Sequence, residues 1–256
     1  MRIWWLICLL GCGGAGQTEF DAGVAAVRGG DQRGAIHHFV QTLEAGGRHP
    51  ATYHGLGNAL YRGGHVGPAI AAWRRGLYLA PRNGDIAANL DLAQHQTRER
   101  LAAPASHREA FFWASAFSPR EMGLLASACA AAGLVIAVVA RIRRSRAGLS
   151  QPRRTAVWTW VLLAISALLA ASTLDTLDHR QGAVVVVAEV SARSTLGPDG
   201  VDLFVLHEGA EVTVGDTAQG HTLIELSDGR KGWLSSRALI STDPVASFPL
   251  DALPSR

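Results

Sequence analysis

The pattern of apolar and polar positions passes through three regimes along this 256-residue chain. Up to about residue 100 the pattern repeats itself. The stretch "AVRGGDQRGAIHHF" (26–39) sets above "LYRGGHVGPAIAAW" (60–73) at an offset of 34 residues, with Arg, Gly-Gly and Ala-Ile recurring in place and Gly23 matching Gly57. A period of that length predicts a pair of antiparallel helices per copy, over about 17–49 and 50–83. After Pro81 a capping helix is expected over 85–100, with Asp85 near its N-cap and Ile86, Leu90 and Ala93 on one side. The second regime is uniformly apolar: "MGLLASACAAAGLVIAVVA" (122–140) and "AVWTWVLLAISALLAASTL" (156–174) are nineteen residues each, with neither a charge nor a polar stripe. At ~1.5 Å per residue a helix of that length matches a hydrocarbon core of about 30 Å. The third regime begins at Ala183, where "AVVVVAEV", "VDLFVL", "AEVTV", "HTLIEL" and "GRKGWL" alternate with "LGPDG", "HEG", "GDTAQG" and "SDG". Five short β-rich runs between turn residues predict a small barrel over 181–243, with a tail over 244–256.

Charge sharpens the middle of the picture. Between the two apolar runs lies "RIRRSRAGLSQPRR", with Arg141, Arg143, Arg144, Arg146, Arg153 and Arg154 and no acid. The whole chain is only +3, from 24 basic and 21 acidic residues, so outside this block it is net acidic. Nucleic-acid binders spread basic charge over a folded face, so nucleic acid is not an expected partner. Short arginine-rich loops resist translocation, which predicts that 141–155 is a cytoplasmic loop, that its arginines are topogenic, and that both flanking regions lie outside. Trp158 and Trp160 fall where an interfacial belt belongs, and Phe111, Phe112, Trp113 and Phe117 occupy an interfacial segment, 101–121, before the first run. Ser118-Pro119-Arg120-Glu121 predicts a capping box with proline at the first helical position.

The N-terminus and the cysteines bound the chemistry. Arg2 precedes an apolar run, Ile3 to Leu10, too short to span a bilayer but suited to the core of a signal peptide over 1–16. Cleavage after Gly16 is one reading, and "LLGC" ending at Cys12 resembles a bacterial lipobox, the other. "GCGGAG" (11–16) matches GxGxxG in letters only, since no strand precedes it. The three cysteines, Cys8, Cys12 and Cys129, fall in the signal and the first apolar run, which excludes disulfides and thiolate zinc sites from the exported regions. No HExxH spacing, GxSxG turn or paired carboxylates occur, and neither apolar run carries an ionisable residue. The expectation is a non-enzyme without catalytic residues, metal or cofactor.

Beyond period and charge, particular residues carry resemblances. The second copy resembles the tetratricopeptide family: Tyr53, Leu56, Gly57, Ala69, Trp73 and Pro81 stand at that pattern's positions. Gly57 and Ala69 are small where two helices cross, Trp73 fills the space to the next repeat, and Pro81 ends the second helix. The first copy keeps Ala35 and Phe39 but has Glu19 for a large apolar residue and Gly47 for the closing proline. The resemblance implies a peptide groove lined by the first helices, holding Arg28, His54, Asn58, Tyr61 and Arg62. Asn58 would hold a peptide backbone and the arginines a carboxylate.

The β-rich region resembles the bacterial SH3 family in "ARSTLGPDG", "LHEGAEVTV" and "DGRKGWLSSRAL", which implies Trp233 in the core and Asp228-Gly229 in a hairpin turn. Its only aromatics are Phe204, Trp233 and Phe248, too few for polyproline recognition, and its ten acids against five bases argue against charge-driven binding to anionic wall polymers. The order of parts resembles the BatE-type proteins of bacterial aerotolerance (Bat) operons, most tellingly in "LAPRNGDIAANLDLA" before the apolar pair and "AVVVVAEVSARS" opening the barrel. That resemblance implies membrane-bound von Willebrand A-domain proteins and a MoxR-type ATPase as partners.

The expected fold class is therefore a multidomain membrane protein with all-α tetratricopeptide repeats, a two-helix transmembrane hairpin and an all-β SH3-like small barrel. The expected function is that of a scaffold in the bacterial inner membrane presenting two periplasmic binding modules. The alternatives are a chaperone for cytochrome or envelope-protein maturation and a structural protein anchored to peptidoglycan through the barrel.

Overall fold

The computed structural model describes residues 14–99, 116–147, 153–178, 182–196 and 200–249. Residues 1–13 of the expected signal sequence and most of the interfacial segment 101–121 lie outside the described residues, and Gly14 to Gly16, expected to end the signal, open the first helix. The chain divides into two compact units, one of residues up to Ser106 together with those from Arg180 onward, the other His107–His179.

The first unit begins with α1 (Gly14–Gly29), α2 (Gln32–Glu44), α3 (Pro50–Arg62), α4 (Val66–Leu79) and α5 (Gly84–Gln94). The 34-residue period has a physical counterpart at each matched position. Gly30 and Gly64 both adopt positive φ, 79° and 83°, in the turns that reverse each helix pair, a conformation that costs glycine nothing. Ala35 and Ala69 are fully buried, as are Phe39 and Trp73 to within 2 %. A Cβ on Gly23 would come within 2.9 Å of the Phe39 ring, and one on Gly57 within 2.6 Å of Trp73 Cδ1, so each aromatic packs flat onto a glycine of the neighbouring helix. Glu19, the polar residue in the degenerate copy, is held by His38 Nδ1 at 2.8 Å across α1 and α2. The Asp31 side chain caps α2 through Gly34 N–H at 2.9 Å. The cap of α5 is Asn83, through Ile86 N–H at 3.1 Å, and the expected Asp85 sits inside the first turn, where it favours the helix dipole instead.

The β-rich part completes the same unit. Its strands are β1 (Gly182–Val185), β2 (Glu189–Arg193), β3 (Asp202–His207), β4 (Glu211–Ala218), β5 (His221–Glu225), β6 (Lys231–Ser235) and β7 (Leu239–Ser241), joined in the order β3-β2-β6-β5-β4-β1-β7. All pairings are antiparallel. The run "AVVVV" is apolar throughout because β1 is covered on both faces. Val184 and Val186 join Ile240 and Phe248 in one cluster with the helical core, while Ala183 and Val185 point into a second cluster with Leu206, Val212, Ile224 and Leu234.

Two expectations about fold class are overturned. The sheet is an open seven-stranded one with β3 and β7 at its edges, not a closed SH3-like barrel of five strands. The run "AVVVVAEV" is broken after Val185, so β1 pairs with β4 and β7 whereas β2 pairs with β3 and β6. Trp233, expected in the core, is half-buried, because it alternates outward between Gly232 and the fully buried Leu234.

The second correction concerns the other unit, formed by α6 (Pro119–Ala147) and α7 (Arg153–Asp178). The capping box forms reciprocally, Ser118 N–H donating to Glu121 Oε2 at 2.9 Å and Glu121 N–H to Ser118 Oγ at 3.3 Å. α7 packs along α6, with Leu162 and Leu163 beside Gly133 and Ser166 Oγ donating to Ala126 O at 2.9 Å. Among the described residues only one helix is long and apolar enough to cross a membrane, Pro119–Arg143, with mean hydropathy 2.3. The apolar part of α7, Val157–Thr173, is shorter. At ~1.5 Å per residue it reaches roughly 25 Å, less than the hydrocarbon thickness. The two-helix transmembrane hairpin is thus replaced by one candidate span with a shorter apolar helix packed against it.

Candidate functional site

The residues expected to line a groove occupy one face built by α3 between α1 and α5. His54, Asn58 and Tyr61 follow at spacings of four and three along α3, which places them on one side of the helix. Each meets a polar partner. The Asn89 amide of α5 donates one hydrogen to Asn58 Oδ1 at 2.9 Å and lies 3.1 Å from His54 Nε2. Just beyond α5, Gln96 Nε2 donates to the Tyr61 hydroxyl at 2.6 Å, and the Tyr61 ring leans on Trp73 with centroids 5.7 Å apart.

Arg28 and Arg62 complete the set at its margins. They are equivalent by the 34-residue offset, stand in the last turns of α1 and α3, and are exposed. Neither has an acidic partner among the described residues. The face thus combines two exposed guanidinium groups with a row of half-buried amide, imidazole and phenol groups. Such groups can meet a peptide backbone and a carboxylate. Asn89 and Gln96 were not among the expected groove residues. Their signal was present as two amides seven residues apart, two helical turns, in "NLDLAQHQ".

A second constellation holds helices and sheet together. Arg75 on α4 is completely buried, and its guanidinium donates from Nε to Ser241 O at 2.9 Å, from Nη1 to Ala246 O at 2.9 Å and from Nη2 to Ser247 O at 3.2 Å. The ring of Phe248 lies 5.1 Å from its Cζ. Beside it the Tyr53 hydroxyl donates to Pro244 O at 2.7 Å. Burial pushes the Tyr53 phenol above its ordinary value of 10.0, an effect the neighbouring Arg75 charge opposes, and burial pushes Arg75 down. The chain after β7 is therefore tied across the helices by an arginine, a tyrosine and an aromatic anchor. The adjacent Arg74 grips Glu211 with two bonds, at 2.7 and 2.8 Å, and Gln94 of α5 donates to the same carboxylate. The N–H of Gly67 at the start of α4 donates to Glu208 Oε1 at 3.1 Å, the acid completing the helix terminus. Each of these groups is held by protein partners, which makes this constellation structural.

The arginines expected to be topogenic fall at the linked ends of the second unit. Arg141, Arg143, Arg144 and Arg146 belong to the last turns of α6, and Arg153 and Arg154 open α7. Arg141 and Arg143 are exposed. Residues 148–152 of the expected loop lie outside the described residues. Among the described residues no three His, Cys, Asp or Glu side chains gather to hold a metal ion. Comparison of the chain with protein-family models, curated proteins and solved structures finds no match.

Proposed function

We propose that the protein is a membrane-anchored adaptor that captures an extended segment of a partner protein on the α1–α3–α5 face of its helix-and-sheet unit. The observation that carries this reading is the row His54–Asn89–Asn58, with Tyr61–Gln96 beside it and Arg28 and Arg62, which have no acidic partner among the described residues, at its margins. Its polar groups are aligned by one another, so little side-chain freedom is lost when a peptide binds. The anchor is α6, whose apolar surface is exposed along its length. Helices α1–α5 and the sheet share a core, so the segments that flank α6 and α7 in the chain form one binding unit. The von Willebrand A-domain proteins and MoxR-type ATPase implied by the Bat resemblance are the first partners to test.

Crosslinking in membranes followed by purification and mass spectrometry tests the reading. A defined protein partner should be recovered, and Asn58→Ala combined with Arg62→Ala should lower its recovery by roughly tenfold, about 1.4 kcal/mol, with the circular dichroism unchanged. Recovery of peptidoglycan without protein, or undiminished partner recovery from the double variant, would remove this face from function.

A further inference from the structure

We propose that the arginine-rich end of the α6–α7 pair is a binding surface for the headgroups of anionic phospholipids. The inference rests on the reading of α6 as a membrane anchor and adds the lipid class it selects.

Between Glu121 and Asp175 the chain contains no acidic residue, and its six arginines all lie within 141–154. They are concentrated where α6 ends and α7 begins, so the structure gathers them at one end of the pair. Cations at the C-terminus of α6 are favoured by its dipole, but Arg153 and Arg154 stand at the positive end of α7, where the dipole opposes them. With no acid between 121 and 175, compensation has to come from outside the pair.

What surrounds the charges says what that outside partner is. α7 exposes Trp158 and Trp160, the latter at 72 %, and farther from the arginines the pair exposes Leu124, Leu125 and Leu134 on α6 and Leu163, Ile165 and Leu168 on α7. The contacts of Gly133 with Leu162 and Leu163 set the alignment of the two helices. By that alignment the tryptophans lie level with about residues 135–138, roughly 4–9 Å below Arg141 at ~1.5 Å per residue. Cationic groups above an exposed aromatic pair above an exposed aliphatic surface is the vertical order of headgroup, interface and acyl chain. A protein or free anion would meet the arginines but would leave the apolar band exposed. Guanidinium groups also pair with phosphate by two bonds, and a net negative headgroup, unlike a zwitterionic one, leaves that charge unopposed.

The test uses the full chain reconstituted in vesicles of phosphatidylcholine with a minority of phosphatidylglycerol, with bromine on the acyl chains of either one lipid or the other. Tryptophan quenching is compared with that of a Trp158→Phe, Trp160→Phe variant, so that only these two positions are read. Brominated phosphatidylglycerol is expected to quench several-fold more per mole than brominated phosphatidylcholine. Replacing the six arginines by glutamine, or raising the salt concentration over the unaltered chain, should bring that ratio to one. Equal quenching by both lipids in the unaltered chain at low salt would overturn the headgroup proposal and leave the anchor intact. Quenching by neither would overturn the anchor itself, and the proposal with it.

Discussion

The two compact units use the same residue types in opposite ways. In the helix-and-sheet unit Leu56, Leu60, Ile70, Val184 and Ile224 are fully buried. In the α6–α7 unit Leu134, Val135 and Trp158 are more than half exposed, although the segment is the more apolar of the two. Hydrophobicity alone therefore does not say where a residue goes. In the first unit apolar positions alternate with polar ones that mark an outside, so the chain builds its own interior. In the second the charged positions are confined to the helix ends, and apolar side chains between them stay exposed.

The comparison breaks most sharply at the aromatic anchors of the first unit. Trp73→Ala should destabilise it by about 3–5 kcal/mol, read as a lowered thermal transition in far-UV circular dichroism of the full chain in detergent. The helicity of α6 and α7 should persist through that transition. Gly57→Ala should cost about 1–3 kcal/mol in the natural background and far less beside Trp73→Ala, because the added Cβ meets the indole. An additive double-mutant cycle would refute that contact.

Arg75→Ala comes next. It deprives three carbonyls of their donor at about 1–3 kcal/mol each when they stay dry, less whatever water enters, so a loss of about 3 kcal/mol is expected. Limited proteolysis should find the chain after Ser241 cleaved faster in this variant. Equal cleavage would mean that the segment is held by other contacts.

In the second unit the same kind of insult should leave folding alone. Leu134→Arg is expected to cost about 3 kcal/mol of membrane insertion, seen as protein moving from the membrane to the soluble fraction. A mutant that stays in the membrane but loses its thermal transition would place Leu134 in a protein core instead.

The smallest effect is one of pH. The Tyr53 proton is held more tightly in the folded chain than in the unfolded one, so as pH rises through about 10 the unfolded chain releases its proton first and stability falls. Tyr53→Phe, about 1 kcal/mol less stable at neutral pH, should lose stability less steeply with alkali. Identical slopes for the two proteins would show that the phenol is not buried.

Several of these features were legible in one dimension. The 34-residue period, the small residues at Gly23 and Gly57 and the aromatic positions at Phe39 and Trp73 could be read because each helix pair closes over a short stretch of chain. The capping box at Ser118 and Glu121 is likewise local. His54, Asn58 and Tyr61 could be placed on one face by helical spacing. Asn89, which joins two of them, escaped because it lies 31 residues from Asn58 and only packing brings the amides together. The open sheet escaped for a related reason: alternation marks a strand but does not name its neighbour, and β1 finds β4 and β7 rather than β2.

The sequence by itself determined the periodic elements, the segregation of apolar and charged segments and the gathering of six arginines in one block, because these follow from propensity, spacing and charge along the chain. Only the tertiary structure decided that the helices and the strands share one interior. That outcome turns on Arg75 and Arg74 meeting groups 137 to 172 residues away. Contacts at such distances leave no period to read, and their partners, backbone carbonyls above all, have no letter in a sequence.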